Sequence, residues 1–349
     1  MTSEKQTFPQ AAQSLTEVLT SVSTNDKEVS AAINLFLDNL PGATTREVAT
    51  AMQSLAGVFE TAKEVNAINA IMLCGYLVEK GYGGKYFIGE LERLTIKNLD
   101  IAEPLLKASV NVMETTDDEE EDPYEAVDKL REEVVVEHPE QIAADDWLEK
   151  IYPCLVSTYS SDLQLFNTGK SLLHDRVKPY SQVSTACSWL STLFSVLFNE
   201  PVLVVELAQQ KAFTGSISGI ADNFQLQLLL MGIPELGDTI DAELTAVVNG
   251  TGPQDGEASV AGKWDMCNWP ILSAAHKEKG ESDSDHWIWS EGSPEDIEPL
   301  EGRRVILLKE PSYQRGLYVQ RSFSTLPASI NIEKWLSEEE LNQWLEKMK

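Results

Sequence analysis

The spacing of apolar residues changes once along this chain, and that change limits the fold to a mixed α and β type. Apart from one acidic break, the apolar residues between Pro9 and Phe198 recur at the spacing of helices that bury one face. Pro201–Leu207 is instead short, β-branched and bounded by proline, which is typical of a strand. We therefore predict an α+β protein, with an all-α N-terminal helical bundle or repeat-like domain followed by an α+β C-terminal domain. The other predicted strands are Lys211–Ile220, Ser259–Trp264, His286–Trp289, Arg304–Lys309 and Leu317–Arg321.

Capping signals predict where two helices of the C-terminal part begin. Asp222 and Asn223 offer an N-cap for an apolar helix over Phe224–Met231. An acid–amide pair beside a binding site is the alternative interpretation of these two residues. Ser337 and Glu340 have the spacing of a capping box, in which two side chains satisfy free amides of the first helical turn. The chain is therefore expected to close with a helix.

An acidic run divides the helical region into two parts. Glu114–Asp122 contains seven carboxylates in nine residues, and such a run repels itself and stays solvated. The sequence therefore predicts a helical N-terminal domain over 1–112, an acidic linker over 113–125 and a C-terminal domain over 126–349. In an alternative interpretation, the carboxylates of Asp117–Asp122 imitate the charge of DNA and bind a basic partner.

The charge balance restricts the partners that this chain can have. It contains 349 residues, with 56 acidic and 27 basic side chains, for a formal net charge of −29. A nucleic-acid-binding protein uses Lys and Arg to displace counterions from phosphates, and this chain repels such a polyanion overall. The same field opposes docking on anionic membranes. We therefore expect a basic protein as the partner, and neither nucleic acid nor a membrane.

The sequence shows no sign of export or membrane insertion. No stretch reaches the about 18 apolar residues of a membrane span. The first ten residues lack the basic start and the apolar centre of a signal peptide. The four cysteines, at positions 74, 154, 187 and 267, form no CxxC pair, as in proteins of a reducing compartment. We expect a cytoplasmic protein of bacterial type.

No motif for nucleotide binding, catalysis or metal binding is complete. Gly169–Ser171 resembles the end of a phosphate loop, but Gln164 stands where that loop has its first glycine. Gly250–Gly252 lacks the third glycine of a dinucleotide loop, and Gly215–Gly219 has Ile217 in place of a nucleophilic serine. The four histidines never stand three or four residues from one another or from a cysteine. We therefore predict no metal and no cofactor.

The most unusual segment is Trp264–Trp289, with four of the eight tryptophans and two of the four histidines. Nine acids and one base lie between positions 278 and 301, whereas five bases and one acid lie between 303 and 321. In the structural interpretation, the two charged segments pair across strands and the tryptophans belong to the core. In the functional interpretation, an arginine of the basic segment binds an anion while Trp287 or Trp289 packs over the ligand. The four candidate arginines are Arg303, Arg304, Arg315 and Arg321. The candidate binding residues are Trp264, His286, Trp287, Trp289, Arg303, Arg304 and Arg315, together with Asp222 and Asn223.

Two stretches resemble an uncharacterised family of bacterial proteins: Ser218–Leu226, and His286–Gly292 followed by Arg304–Leu308. Together they cover under a tenth of the chain. The resemblance implies a bacterial cytoplasmic origin. It implies no activity, cofactor or partner, and no functional residue is transferred from it.

These observations lead to one functional prediction and one rival. The first is a non-enzymatic protein-interaction factor, of the immunity, adaptor or regulatory type, because helical arrays present broad binding faces and no catalytic set is complete. The rival is an enzyme or small-anion-binding protein with a pocket near Trp264–Arg321, in which His286 acts as an acid or base and an arginine binds the anion.

Overall fold

The computed structural model describes residues 6–116, 122–237, 240–274, 280 and 282–349. The chain divides into two units, unit 1 at Met1–Phe194 and unit 2 at Ser195–Lys349. Unit 1 is helical in its described residues, and unit 2 combines helices with a mixed sheet. The predicted α+β class with a helical N-terminal part is therefore confirmed. Within the described residues, no helix is both long enough and apolar enough to cross a membrane.

The long helix α7 (Pro139–Ser160) packs against five other helices of unit 1, α4, α5, α6, α8 and α9. Along α7, Ile151, Leu155 and Tyr159 are fully buried, and the Tyr159 ring lies 5.4 Å from the ring of Phe194. A Cβ atom at Gly169 would collide with the Tyr159 ring, so close packing accounts for the glycine of the incomplete phosphate-loop motif. The α-helices of the described part of unit 1 are α1 (Phe8–Thr20), α2 (Asp26–Asn39), α3 (Thr45–Ala56), α4 (Glu64–Glu79), α5 (Ile88–Thr115), α6 (Pro123–Glu137), α7 (Pro139–Ser160), α8 (Leu163–Val177) and α9 (Thr185–Phe194).

The boundary between the units differs from the predicted one. The predicted N-terminal domain ends at the acidic linker 113–125, but α7 packs against both α4 and α5, and α6 packs against α5. The helices that follow the acidic run therefore belong to unit 1, which ends at Phe194. The physical reason is that their apolar faces are buried among the earlier helices, and this burial outweighs the charge run that separates them in sequence. Residues 117–121, and with them most of Asp117–Asp122, lie outside the described residues.

Unit 2 is built on a sheet whose two central strands run parallel. Its strands lie in the order β4-β6-β1-β2-β8, with β5 also paired to β6, and β3 pairs with β7 in a separate two-stranded sheet. Strands β1 and β6 are parallel, and the other pairs are antiparallel. The elements are β1 (Glu200–Glu206), β2 (Lys211–Ser218), α10 (Asn223–Met231), α11 (Ala242–Asn249), β3 (Asp255–Ala261), β4 (Asp265–Cys267), β5 (Pro299–Leu300), β6 (Arg303–Lys309), β7 (Gly316–Gln320), β8 (Ser329–Trp335) and α12 (Glu338–Met348).

Both faces of the main sheet are covered, which explains the nearly continuous apolar sequence of β1. Val202 and Val204 belong to the core that includes α10, whereas Leu203 and Val205 belong to the core on the other face with Leu341 of α12. Successive side chains of a strand point to opposite faces, so a strand in the middle of a two-sided sheet needs apolar residues at every position. The sheet thus forms a rigid base for the loops at its edges.

The prediction of a strand at His286–Trp289 is wrong. A short 3₁₀ turn spans Asp283–His286, and only Trp287 forms an isolated bridge, to Cys267. The segment then follows β4 without continuous pairing, through a hydrogen bond from the Ile288 N–H to the Met266 carbonyl at 2.8 Å. The turn takes up His286, the first residue of the predicted strand, and pairing is not continued beyond Trp287, so Ile288 is buried without belonging to a strand.

The glycines of the incomplete dinucleotide motif also have a structural role. Gly250 ends α11 with a φ of 88°, in the left-handed region that favours glycine. The Gly252 N–H then donates to the carbonyl of Ala246 at 2.7 Å and closes the end of the helix. These residues terminate a helix, whereas a dinucleotide loop begins one.

Candidate functional site

An aromatic surface of unit 2 is formed by Trp287, Trp289, Tyr313 and Arg315. Trp287 and Trp289 come from the segment beside β4, and the other two come from the loop between β6 and β7. The loop is held at its end by a hydrogen bond from the Gly262 N–H to the Arg315 carbonyl at 2.7 Å. Two separate parts of the chain are thus joined into one surface.

The rings of the aromatic surface contact one another in favourable geometry. The Trp287 and Trp289 ring centroids lie 5.4 Å apart at an interplanar angle of 63°, and Trp287 lies 6.4 Å from Tyr313 at 41°. Inclined aromatic pairs of this kind stabilise one another by about 0.5 to 1.5 kcal/mol beyond burial. Trp289 is nevertheless 51% exposed and Tyr313 is 48% exposed. The surface therefore presents large apolar rings that are fixed in place and open to solvent.

Arg315 is oriented by contacts on several sides. Its Nη1 donates to the Ser290 hydroxyl at 2.6 Å, and its Nη2 lies 3.7 Å from the Glu291 carboxylate. The guanidinium carbon lies 5.8 Å from the Tyr313 ring centroid and 5.9 Å from that of Phe224. Cation–π contacts at these distances orient an arginine while leaving part of it open to solvent.

Trp264 forms the floor beneath this surface. It is 5% exposed, and its carbonyl accepts a hydrogen bond from Gln227 Nε2 at 2.5 Å. The Lys263 ammonium lies 4.8 Å from the Trp264 ring centroid, and burial lowers the pKa of this lysine. The depression between the rings encloses only about 30 Å³. That is room for water, whereas small-molecule pockets span about 300 to 1,000 Å³.

The structure brings four of the predicted site residues together: Trp264, Trp287, Trp289 and Arg315 line the same depression. His286 directly precedes Trp287 in sequence, and its carbonyl accepts from the Asn268 N–H at 2.8 Å. Among the described residues that line the depression, His286 does not occur. The described residues thus form a tryptophan-lined depression without the acid–base histidine that the rival prediction placed in it.

Arg303 and Arg304 lie in β6, and each contacts an acidic side chain of another strand. The Arg304 Nε donates to Glu200 at 2.9 Å, and its Nη1 donates to the carbonyls of Glu295 at 2.6 Å and Ile297 at 2.7 Å. Arg303 lies 3.7 Å from the carboxylate of Glu333 in β8. Because Nε and Nη1 of Arg304 already donate to protein groups, the geometry fits a structural ion pair better than an anion-binding site.

Asp222 and Asn223 act as a cap and an anchor. Asp222 accepts hydrogen bonds from the Gln225 N–H and from the Ser322 hydroxyl, both at 2.8 Å, so the predicted N-cap of α10 is present. Asn223 Nδ2 donates to the Trp289 carbonyl at 2.8 Å. The first residue of α10, next to the cap, therefore fixes the backbone beneath the aromatic surface.

Sequence reasoning missed Tyr313, and it missed a pocket of unit 1 that contains Asp145, Glu149 and Trp189. Tyr313 stands alone between Pro311 and Arg315, with no periodic pattern around it. Asp145 and Glu149 are four residues apart on α7, a spacing that places two carboxylates on one helix face and was the available signal. In the part of the chain that the structure describes, no group of three or more His, Cys, Asp or Glu side chains is arranged to hold a metal ion.

The comparisons with known proteins give no relative. No protein-family model, no curated protein and no solved structure matches this chain.

Proposed function

We propose that this protein is a binding factor for a basic partner protein and that the aromatic surface is the contact site. The observation that carries the proposal is Trp289, which is half exposed although Trp287 packs against its ring and Asn223 holds its carbonyl. A tryptophan held in place in the unbound protein loses little conformational freedom on binding. A large preorganised ring is thus available to a partner.

The composition of the surface supports a protein ligand over a small molecule. Trp, Tyr and Arg are the residue types that dominate the binding energy of protein interfaces, and here they lie side by side as Trp287, Trp289, Tyr313 and Arg315. The depression between them, at about 30 Å³, is far below the volume of a typical ligand pocket. The surface is better suited to receive a protruding side chain than to enclose a substrate.

Charge supports a basic partner. The net charge of −29 attracts cationic proteins and raises their rate of encounter at low salt. At the aromatic surface, Glu291 has a 63% exposed side chain, and the exposed faces of Trp289 and Tyr313 offer cation–π contacts. A Lys or Arg side chain of the partner would find complementary groups here. A cytoplasmic setting is part of the proposal, because the four cysteines are free thiols.

Affinity capture with a matched pair of variants tests the proposal. Trp289→Ala removes the central ring, whereas Tyr318→Ala removes an exposed tyrosine of β7 that does not line the depression. Wild-type protein and both variants are immobilised, incubated with lysate of the native host and eluted with a salt gradient. We expect one basic protein that binds the wild type and Tyr318→Ala and elutes at moderate salt.

The affinity of that partner gives the quantitative result. Truncation of a central interface tryptophan costs about 2 kcal/mol or more, so Trp289→Ala should weaken binding by about thirtyfold or more. Tyr318→Ala should change it by less than about threefold. Equal binding by the wild type and Trp289→Ala would refute the assignment of the contact site.

A further inference from the structure

A second site lies in unit 1, in a pocket of about 550 Å³ lined by α6, α7 and the beginning of α9. Its size falls within the range of small-molecule sites. Asp145 and Glu149 of α7 line it, and Arg131 of α6 lies beside them. None of these residues belongs to the aromatic surface of unit 2.

Asp145 is the unusual group of the pocket. Its side chain is 2% exposed, and its Oδ2 accepts a hydrogen bond from Arg131 Nη1. Its Oδ1 is buried and, among the described residues, has no hydrogen-bond partner. A buried carboxylate oxygen without a donor is costly, and native structures seldom leave one unless a ligand or solvent supplies the donor.

Glu149 adds a second carboxylate one helical turn further along α7. Its Oε1 accepts hydrogen bonds from the Ser184 hydroxyl at 2.8 Å and from the Ala186 N–H at 3.0 Å, so the carboxylate is fixed in place. With Asp128 on α6, the pocket has three acids. Among the described residues that line the pocket, Arg131 is the one base, so these residues together carry a net negative charge.

Arg131 offers little to an anion. Its Nη1 is bound to Asp145, and its Nη2 donates to the Asp146 carboxylate at 3.3 Å. Both terminal nitrogens of the guanidinium therefore face carboxylates of the protein itself. The carboxylate oxygen that still lacks a partner, Asp145 Oδ1, can only accept a hydrogen bond. The pocket is therefore suited to a hydrogen-bond donor with positive charge.

Aromatic rings complete the pocket. Trp189 of α9 is 37% exposed and lies parallel to Tyr152, with the ring centroids 6.5 Å apart and the planes 14° apart. Tyr124 of α6 also lines the pocket and is mostly exposed. Rings that flank carboxylates are the usual surroundings of bound organic cations.

We infer that this pocket binds an organic cation with N–H donors, an ammonium or guanidinium group, which donates to Asp145 Oδ1 between Trp189 and Tyr124. Two kinds of ligand carry such a group: a free small amine, and a lysine or arginine side chain of a protein. Burial raises the pKa of the Asp145 carboxyl, as expected for a negative charge whose stabilisation within the protein is incomplete. The inference is independent of the function proposed for unit 2.

Titration calorimetry on the full chain tests this inference. The free-amine probes are 1,4-diaminobutane and agmatine, the side-chain probes are the acetylated amides of lysine and arginine, and 1,4-butanediol is the neutral control. We expect saturable binding of at least one cation and none of the diol. Tighter binding of the free amines would indicate a small-molecule site, and tighter binding of the amino-acid amides would indicate a protein side chain.

Two variants of the same charge change locate the site. Asp145→Asn removes the charge at the unpartnered oxygen, whereas Asp146→Asn removes the neighbouring exposed charge that contacts the same arginine. A charged hydrogen bond supports a loss of affinity of at least about tenfold for Asp145→Asn. Asp146→Asn should keep the affinity within about threefold.

A third variant keeps the test decisive if Asp145→Asn fails to fold. Ser188→Phe fills the pocket from α9 and leaves the buried ion pair of Asp145 intact. It should abolish binding of the cation. Absence of saturable binding for all four cations, or unchanged affinity in Asp145→Asn or Ser188→Phe, would overturn the inference.

Discussion

Replacement of Arg321 by methionine should destabilise unit 2 strongly. The Arg321 side chain is only 6% exposed. Methionine has an unbranched side chain that fills much of the same space, but it lacks the guanidinium. In the structure, Nη1 donates to the carbonyls of Val247 at 2.6 Å and Pro253 at 2.7 Å, and Nη2 donates to those of Gly252 at 3.3 Å and Ser324 at 3.1 Å. This arginine therefore fixes the loop after α11, which is a structural role and not the anion binding considered from the sequence.

The expected magnitude follows from the two shorter bonds. A hydrogen bond from a charged donor stabilises a protein by about 1.5 to 3 kcal/mol net, so loss of the bonds to Val247 and Pro253 alone should cost about 3 to 6 kcal/mol. The other two carbonyls add to the loss, because buried acceptors without a donor are unfavourable.

Urea unfolding followed by tryptophan fluorescence measures this change, since six of the eight tryptophans belong to unit 2. Arg303→Met is the matched control, because Arg303 is 31% exposed and its ion pair with Glu333 is 3.7 Å long. We expect the control to lose less than about 1 kcal/mol. A loss below about 1 kcal/mol for Arg321→Met would show that the four carbonyl contacts do not hold the loop.

Two further predictions concern ionisable groups. Burial raises the pKa of the Asp145 carboxyl above its ordinary 3.8. Between pH 3.8 and the raised pKa of the folded state, the folded protein therefore retains a proton that the unfolded chain has lost. The unfolding free energy of the wild type minus that of Asp145→Asn should therefore be largest at low pH and fall as the pH rises through this interval. Denaturation at several pH values measures this difference. An increase of the difference with pH would contradict the prediction. Burial also raises the thiol pKa values, to about 12 for Cys154 and Cys187 and about 11 for Cys267, and well above the ordinary value for Cys74. All four thiols should react with a disulfide reagent at pH 8 only after unfolding, and rapid labelling of the native protein would contradict their burial.

Local signals in the sequence predicted many elements because they act over a few residues. The capping box at Ser337 and Glu340 is present at the start of α12, and Asp222 caps α10 as expected. The strand at Arg304–Lys309 is confirmed as β6, since four β-branched or leucine residues in succession suit a strand covered on both faces. Strand β8 was missed although Ile330 and Ile332 alternate with polar residues, because only two strongly apolar residues precede the charged pair Glu333 and Lys334.

The candidate site could be predicted only in part, because its members come together through tertiary packing. Trp287 and Trp289 stood out by their frequency in one segment, but Tyr313 joins them only through the path of the loop between β6 and β7. The arginines looked alike in sequence, and only their surroundings separate the partly buried Arg315 from the buried Arg321. The same limit applies to the unit boundary, which depends on where later helices bury their apolar faces.

The central claim is that a basic protein binds at Trp289, and site-specific photo-crosslinking tests it most directly. A photoreactive phenylalanine analogue replaces Trp289 in one variant and the exposed Tyr318 in the other, and each is irradiated in lysate of the native host. We expect that a basic protein is crosslinked from position 289, that added salt suppresses the product, and that position 318 gives none. Crosslinking from position 318 alone, or the same products from both positions, would contradict it.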